Sequence, residues 1–154
     1  MSNHTVTARY LSDFLNQHME MAQHMDMKVQ HYNGDCLALS IALKPSLNDK
    51  LTAWGGSLYG LCVMAGWGMY YLKCREQGIN PNIVVSHGEI DYLAPVADEL
   101  IVALCHGQAI DWSSVFARVR SHGKATVALT ATVNSAGSTA VTFKGRYTLV
   151  GIKK

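Results

Sequence analysis

Leu51-Thr52-Ala53-Trp54-Gly55-Gly56-Ser57-Leu58-Tyr59-Gly60-Leu61-Cys62-Val63-Met64-Ala65-Gly66-Trp67-Gly68-Met69-Tyr70-Tyr71-Leu72 contains no Asp, Glu, Lys or Arg. Two readings compete for this run. A membrane span needs roughly 20 apolar residues, and the run is long enough. A helix enclosed by the rest of the domain would be equally apolar, because a helix without a polar face has to be covered on all sides. The glycines from Gly55 to Gly68, together with Thr52, Ser57 and the tyrosines, favour the second reading, provided the rest of the chain supplies amphipathic strands to cover it.

It does. Upstream, Leu11, Phe14, Leu15 and Met19 recur at helical spacing, so Tyr10 to Gln23 is predicted to be a short amphipathic helix, with Ser12 and Asp13 suited to its first turn. Met27 to Tyr32 and Cys36 to Leu43 read as strands joined by Asn33-Gly34, the dipeptide favoured in type I′ hairpin turns, where both central residues need positive φ. Pro45 to Lys50 is a loop of turn formers. The apolar helix then runs until Arg75, Glu76 and Gly78 stop it, about five turns or more. Downstream, Ile83 to Leu93 and Leu100 to His106 are extended and flank a turn at Ala94 to Asp98, and a brief helix is expected over Asp111 to Arg120. Val127, Leu129, Ala131 and Val133 alternate with threonines, as do Val141, Phe143, Tyr147 and Leu149 with Thr142, Lys144, Arg146 and Thr148. Period two marks half-buried strands, and the short link Asn134 to Ser138 makes them an antiparallel hairpin. The fold class is therefore α+β: about six antiparallel strands wrapped around one long apolar helix.

Composition agrees with a single domain over residues 1–154, since a chain of this length with about half its residues apolar can bury a substantial core. The net charge is +2 and the basic residues are dispersed, which argues against a nucleic-acid partner. Cys36, Cys62, Cys74 and Cys105 stand far apart, without a CxxC or Cys/His ligand spacing, and the polar start lacks the pattern of a secretory signal. A cytoplasmic protein with buried thiols, no membrane partner and no bound metal is expected.

The segment Asn48-Asp49-Lys50-Leu51-Thr52-Ala53-Trp54-Gly55-Gly56-Ser57-Leu58-Tyr59 resembles a signature of hot-dog thioesterases, in which an Asn precedes a His-Gly-Gly at the start of the central helix. Here Trp54 takes the His position. The GGSLY run, Ala65-Gly66-Trp67-Gly68 and Asp91-Tyr92-Leu93-Ala94-Pro95-Val96 narrow the resemblance to the bacterial thioesterase domain found C-terminal to GNAT-type acetyltransferase domains, here expected in a free-standing form. The resemblance covers essentially the whole chain. It implies the hot-dog fold already reached by pattern, and hydrolysis of acyl thioesters carried by coenzyme A or an acyl carrier protein, as in fatty acid metabolism. It also implies a homodimer or dimer of dimers, with coenzyme A entering only as part of the substrate and no separate cofactor.

Thioester hydrolysis needs stabilisation of a developing oxyanion, which the free N–H groups of a helix N-terminus provide. Gly55 and Gly56 open the helix and let a carbonyl approach the backbone, so the amide of Gly56 is the expected donor, aided by Ser57. The alternative is that the glycines serve packing and Ser57 a cap. Trp54, Gly55 and Tyr59 are expected beside the substrate, and Lys124, after Gly123 and near Arg118 and Arg120, near the carrier's phosphates. For the base, the resemblance falters: where related enzymes carry a helix carboxylate this chain has Val63, and no acid occurs in the helix before Glu76. Dehydratase chemistry is disfavoured for the same reason. What remains is Asp49 or an acid from a neighbouring subunit; Asp49 is the nominated base, with Asn48 positioning water or substrate, against the alternative that Asn-Asp is ordinary turn chemistry. His87, Glu89 and Asp91 share one strand face, either as a second cluster or as a solvated surface, and Cys62 is read as core rather than nucleophile. A non-catalytic acyl-CoA or acyl-carrier binding module is the competing function.

Overall fold

The computed structural model describes residues 3–150. Two short helices, α1 (Asn3–His18) and α2 (Glu20–His24), lead into β1 (Lys28–Tyr32) and β2 (Cys36–Ala42). A single 3-10 turn over Lys44–Ser46, with Pro45 near its start, precedes the long helix α3 (Gly55–Glu76). Then come β3 (Ile83–Tyr92), β4 (Leu100–His106), α4 (Trp112–His122), β5 (Ala125–Ser135) and β6 (Ser138–Leu149). The strands form one six-stranded sheet in the order β1-β2-β4-β5-β6-β3, antiparallel at every pairing.

The sheet encloses α3 for the reason its sequence implied. Leu58, Leu61, Cys62, Ala65, Met69 and Leu72 are buried, and the helix touches every strand from β2 to β6. Apolar inward residues alternate with outward ones on β5, at Val127, Leu129, Ala131 and Val133, and on β6, at Val141, Phe143, Tyr147 and Leu149, while β2 is buried along nearly its whole length, Leu37, Leu39 and Ile41 included. Each such large side chain contributes about 1.5–3 kcal/mol through burial. Gly66 lets the helix approach the sheet at its tightest point: a Cβ there would lie 2.3 Å from the Tyr147 hydroxyl oxygen, which donates to the Val63 carbonyl at 2.8 Å. The side of α3 away from the sheet is covered by α1, where Phe14 packs on Trp67 and Tyr71 with ring centroids 5.0 and 5.5 Å apart. Among the described residues no helix is long and apolar enough to cross a membrane.

Three local expectations are revised. The opening helix starts earlier than Tyr10 and stops at His18, because Met19 takes an extended conformation (φ −130°, ψ 92°) that turns the chain into α2. The first hairpin forms where expected, but not through a type I′ turn. Of its two central residues only Gly34 has positive φ (93°), since the Asn33 carboxamide oxygen accepts from the amides of Asp35 and Cys36 at 3.0 and 2.8 Å and builds a wider loop. The positive-φ pair instead joins β5 to β6, at Ala136 (50°) and Gly137 (81°) between the partners Ser135 and Ser138. The brief helix before β5 runs on to His122, stopped by Gly123 in the left-handed conformation (φ 77°).

Candidate active site at the tip of the central helix

The backbone ahead of α3 is shaped by Asn48. Its side-chain oxygen accepts from the amides of Lys50 (2.9 Å) and Thr52 (3.1 Å), its Nδ2 donates to Thr52 Oγ1 (2.9 Å), and its own amide donates to the Thr52 carbonyl (2.9 Å). These bonds close a tight loop in which Leu51 is held at φ 61°, an uncommon conformation for a bulky residue. Asn48 is thus occupied by the loop itself. Asp49, on the same loop, has an 81% exposed side chain that pairs with the similarly solvated Lys50 ammonium at 3.2 Å.

The loop delivers the chain into α3 with two donors that have no partner among the described residues. The Ala53 amide is taken by the Val96 carbonyl (2.7 Å) and the Trp54 amide by Ser46 (2.7 Å). Ser57 and Leu58 both donate to the Trp54 carbonyl, at 3.0 and 3.2 Å. Between them the amides of Gly55 and Gly56 precede the first intrahelical bond, and Trp54, at the N-cap, supplies no side-chain acceptor. A helix that begins this way presents partial positive charge to whatever lies beyond its tip. Ser57 is buried with its amide already used, so only its hydroxyl is left for a ligand.

Two aromatic rings pack against those glycines. The Trp54 indole, 61% exposed, folds across Gly56 so closely that a Cβ there would lie 2.7 Å from the ring. Tyr92, at the end of β3 and 51% exposed, sits over Gly55, where a Cβ would come within 3.3 Å of its ring, and its hydroxyl donates to the Gly55 carbonyl at 2.8 Å. Beside them opens a groove of about 350 Å³, lined by Leu58, Leu93 and Pro95 along with Thr52, Gly55 and Tyr92. Tyr92 was not singled out as a site residue by the sequence, although it lay within the Asp91 to Val96 motif. Nothing local connects it with a glycine 37 positions earlier.

The remaining candidates fall elsewhere. Tyr59 turns toward the sheet: its ring meets Phe143 edge-on at 5.4 Å and its hydroxyl occupies the space a Cβ on Gly88 would need. Lys124 lies at the opposite end of the molecule. The carbonyl of its neighbour Ala125 accepts from Tyr70, about 22 Å along α3 from Gly55 at 1.5 Å per residue, and Arg120 binds Gln77 just past the end of that helix. One chain does not bring Lys124 to the helix tip. His87, Glu89 and Asp91 do share the exposed outer face of the sheet, opposite Arg146, Lys144 and Thr142 in register, with His87 Nε2 3.7 Å from Glu89. No group of metal-ligating side chains occurs among the described residues. Cys62 is fully buried and its thiol is pushed up to about 12 by that burial, so it does not supply a thiolate at neutral pH. Glu76, the helix's one acid, stands at its far end and accepts from the Tyr32 hydroxyl at 2.6 Å.

A long helix, glycine-led at its tip and wrapped by an antiparallel sheet, defines the hot-dog class. Within it, residues 8–151 match the family described as "Putative thioesterase (yiiD_Cterm)", and the chain belongs to that family. It is similar to a structure of a protein of unknown function from Chlorobaculum tepidum TLS, at 36% identity over 94% of each chain with a TM-score of 0.86. A putative thioesterase from Shewanella oneidensis superposes with a TM-score of 0.86 at 22% identity, covering 96% of this chain and 99% of the other. The thioesterase HI1161 of Haemophilus influenzae shares the fold at 11% identity, covering 96% of this chain and 92% of the other with a TM-score of 0.72.

Proposed function

We propose that this protein hydrolyses acyl thioesters of coenzyme A or of an acyl carrier protein. The observation that carries the reading is the pair of amides at Gly55 and Gly56 that have no partner among the described residues, beside an open groove of mixed polar and apolar lining in a member of a thioesterase family. The thioester carbonyl accepts from the Gly56 N–H, with the Ser57 hydroxyl near enough in the chain to assist. Water activated by the Asp49 carboxylate adds to the carbonyl carbon, the tetrahedral oxyanion is held by the amide, and collapse expels the carrier's thiolate, which takes up the proton. Asn48 serves this step through the loop that presents Asp49. The Trp54 ring flanks the reacting group. Coenzyme A enters as part of the substrate, and the scheme uses no separate cofactor.

In this reading a second subunit completes the site. One of the sheet's two edges is β3, which pairs with β6 on one side only, and Val84 and Val85 stand exposed on it. An unpaired edge of this kind is a template for pairing with another strand. A homodimer, or a dimer of dimers, would extend the sheet there, and Lys124 serves carrier phosphates only if another subunit carries it to the tip.

A second reading, a binding module without turnover, is favoured by one observation: Val63 stands where a helix carboxylate would be. Release of free thiol from a panel of acyl-CoAs separates the two. Turnover is expected, with Asp49→Asn lowering kcat about a hundredfold. Saturable binding with no thiol released would replace the hydrolase reading by the binding module.

A further inference from the structure

We infer that Tyr92 is a positioning residue for the reaction, gripping the carbonyl half of the one peptide group whose N–H half receives the thioester oxygen. The inference rests on the hydrolase reading above and deepens it.

A peptide unit is planar, with its C=O and N–H pointing in opposite directions. The carbonyl of Gly55 and the amide of Gly56 belong to one such unit, so whatever orients the first aims the second. In α3 that unit has little else to hold it. It lies in the first turn, where helices fray, it joins two glycines, whose backbones are the least restrained of any residue, and no side chain caps the helix. The Gly55 carbonyl nevertheless receives the Tyr92 hydroxyl at 2.8 Å in addition to its intrahelical donor, as the two lone pairs of a carbonyl allow.

Tyr92 is a firm arm for this purpose. Its backbone pairs with Val141 in β6, and the next two residues, Leu93 and Ala94, both donate to the Ala140 carbonyl, at 2.8 and 3.2 Å. The ring reaches Gly55 only because that residue has no Cβ, which would sit 3.3 Å from it. Half of Tyr92 is exposed, so burial gives little reason for a phenol here, yet its hydroxyl is spent on a main-chain carbonyl. Its pKa is raised, chiefly by partial burial, which keeps it a donor. A second donor on the Gly55 oxygen also polarises the peptide and makes the Gly56 N–H a stronger donor, since hydrogen bonds in series reinforce one another.

The test is Tyr92→Phe, which keeps the ring and removes the donor. In protein labelled with ¹⁵N-glycine, the Gly56 amide proton should move upfield while the other glycine amides hold their positions. Turnover of the best acyl-CoA should fall about fivefold in kcat with KM within about twofold, a split that general loosening of the fold would not produce. A variant with wild-type kcat, or with the Gly56 resonance unmoved, overturns the inference while wild-type turnover leaves the hydrolase reading standing. A wild-type protein that releases no thiol from any substrate brings down the hydrolase reading, and the inference with it.

Discussion

Two glycines in the same helix carry opposite demands, and the difference is which aromatic residue each one faces. At Gly66 a methyl group would strike the Tyr147 hydroxyl at 2.3 Å, and that ring cannot yield, being fully buried and tied to the Val63 carbonyl. Gly66→Ala should therefore lower stability by about 1–3 kcal/mol, read as a fall in Tm. At Gly56 the obstacle is Trp54, which is mostly solvated and free to swing aside. Gly56→Ala should keep or raise Tm, alanine being about 1 kcal/mol the better helix former, while thioester hydrolysis drops about tenfold or more as the donor is crowded. Equal melting of the two variants would contradict this division between a packing glycine and a functional one. The need for glycine at the helix tip was read from the sequence; the need at Gly66 was not, because the ring that decides it is Tyr147, far along the chain.

The elements show how far local signals reach. The start of α4 is set by Asp111, whose carboxylate accepts from the Ser114 amide at 3.2 Å and from its hydroxyl at 2.6 Å. The Ser114 side-chain hydrogen bond, followed by the backbone one, holds the Asp111 pKa below the ordinary value. A depressed pKa in the folded state means that the cap's contribution is present above the unfolded-state pKa and lost as pH falls through the folded one. Asp111→Ala should thus lower Tm at pH 7, and the gap from wild type should narrow as the pH is taken below the usual aspartate range; a gap independent of pH would rule out a charged cap. This cap, and the stop at Gly123, follow from residue chemistry within one turn. The break between α1 and α2 does not, for the apolar spacing continues through Met19 and only packing on α3 and β1 decides where the helix ends. Nor do the register shifts after Val29 and Val85, which depend on what the partner strand offers.

For the whole molecule, the open edge at β3 is the feature with the largest consequence. Charges on an edge oppose strand pairing, so Val84→Glu combined with Val85→Glu should convert the expected dimer to monomer in sedimentation experiments without unfolding it, both residues being exposed. A monomeric wild-type protein would refute the proposed assembly. The same scale explains why the candidate site was only partly readable. The Asn48 to Ser57 stretch is contiguous and came out of the sequence as a unit, whereas Tyr92 joins it from another strand and Lys124 stays at the opposite end of α3.

What the sequence determined by itself is the enclosure: a helix with no polar face can persist in water only if other apolar surface covers it, and the alternating strands on either side of it in the chain have one apolar face each to give. The tertiary structure alone decided how the tip of that helix is furnished. Carbonyls, amides and rings there come from segments that meet only after the sheet has closed, and hydrogen bonds between such segments leave no periodic trace in the order of residues.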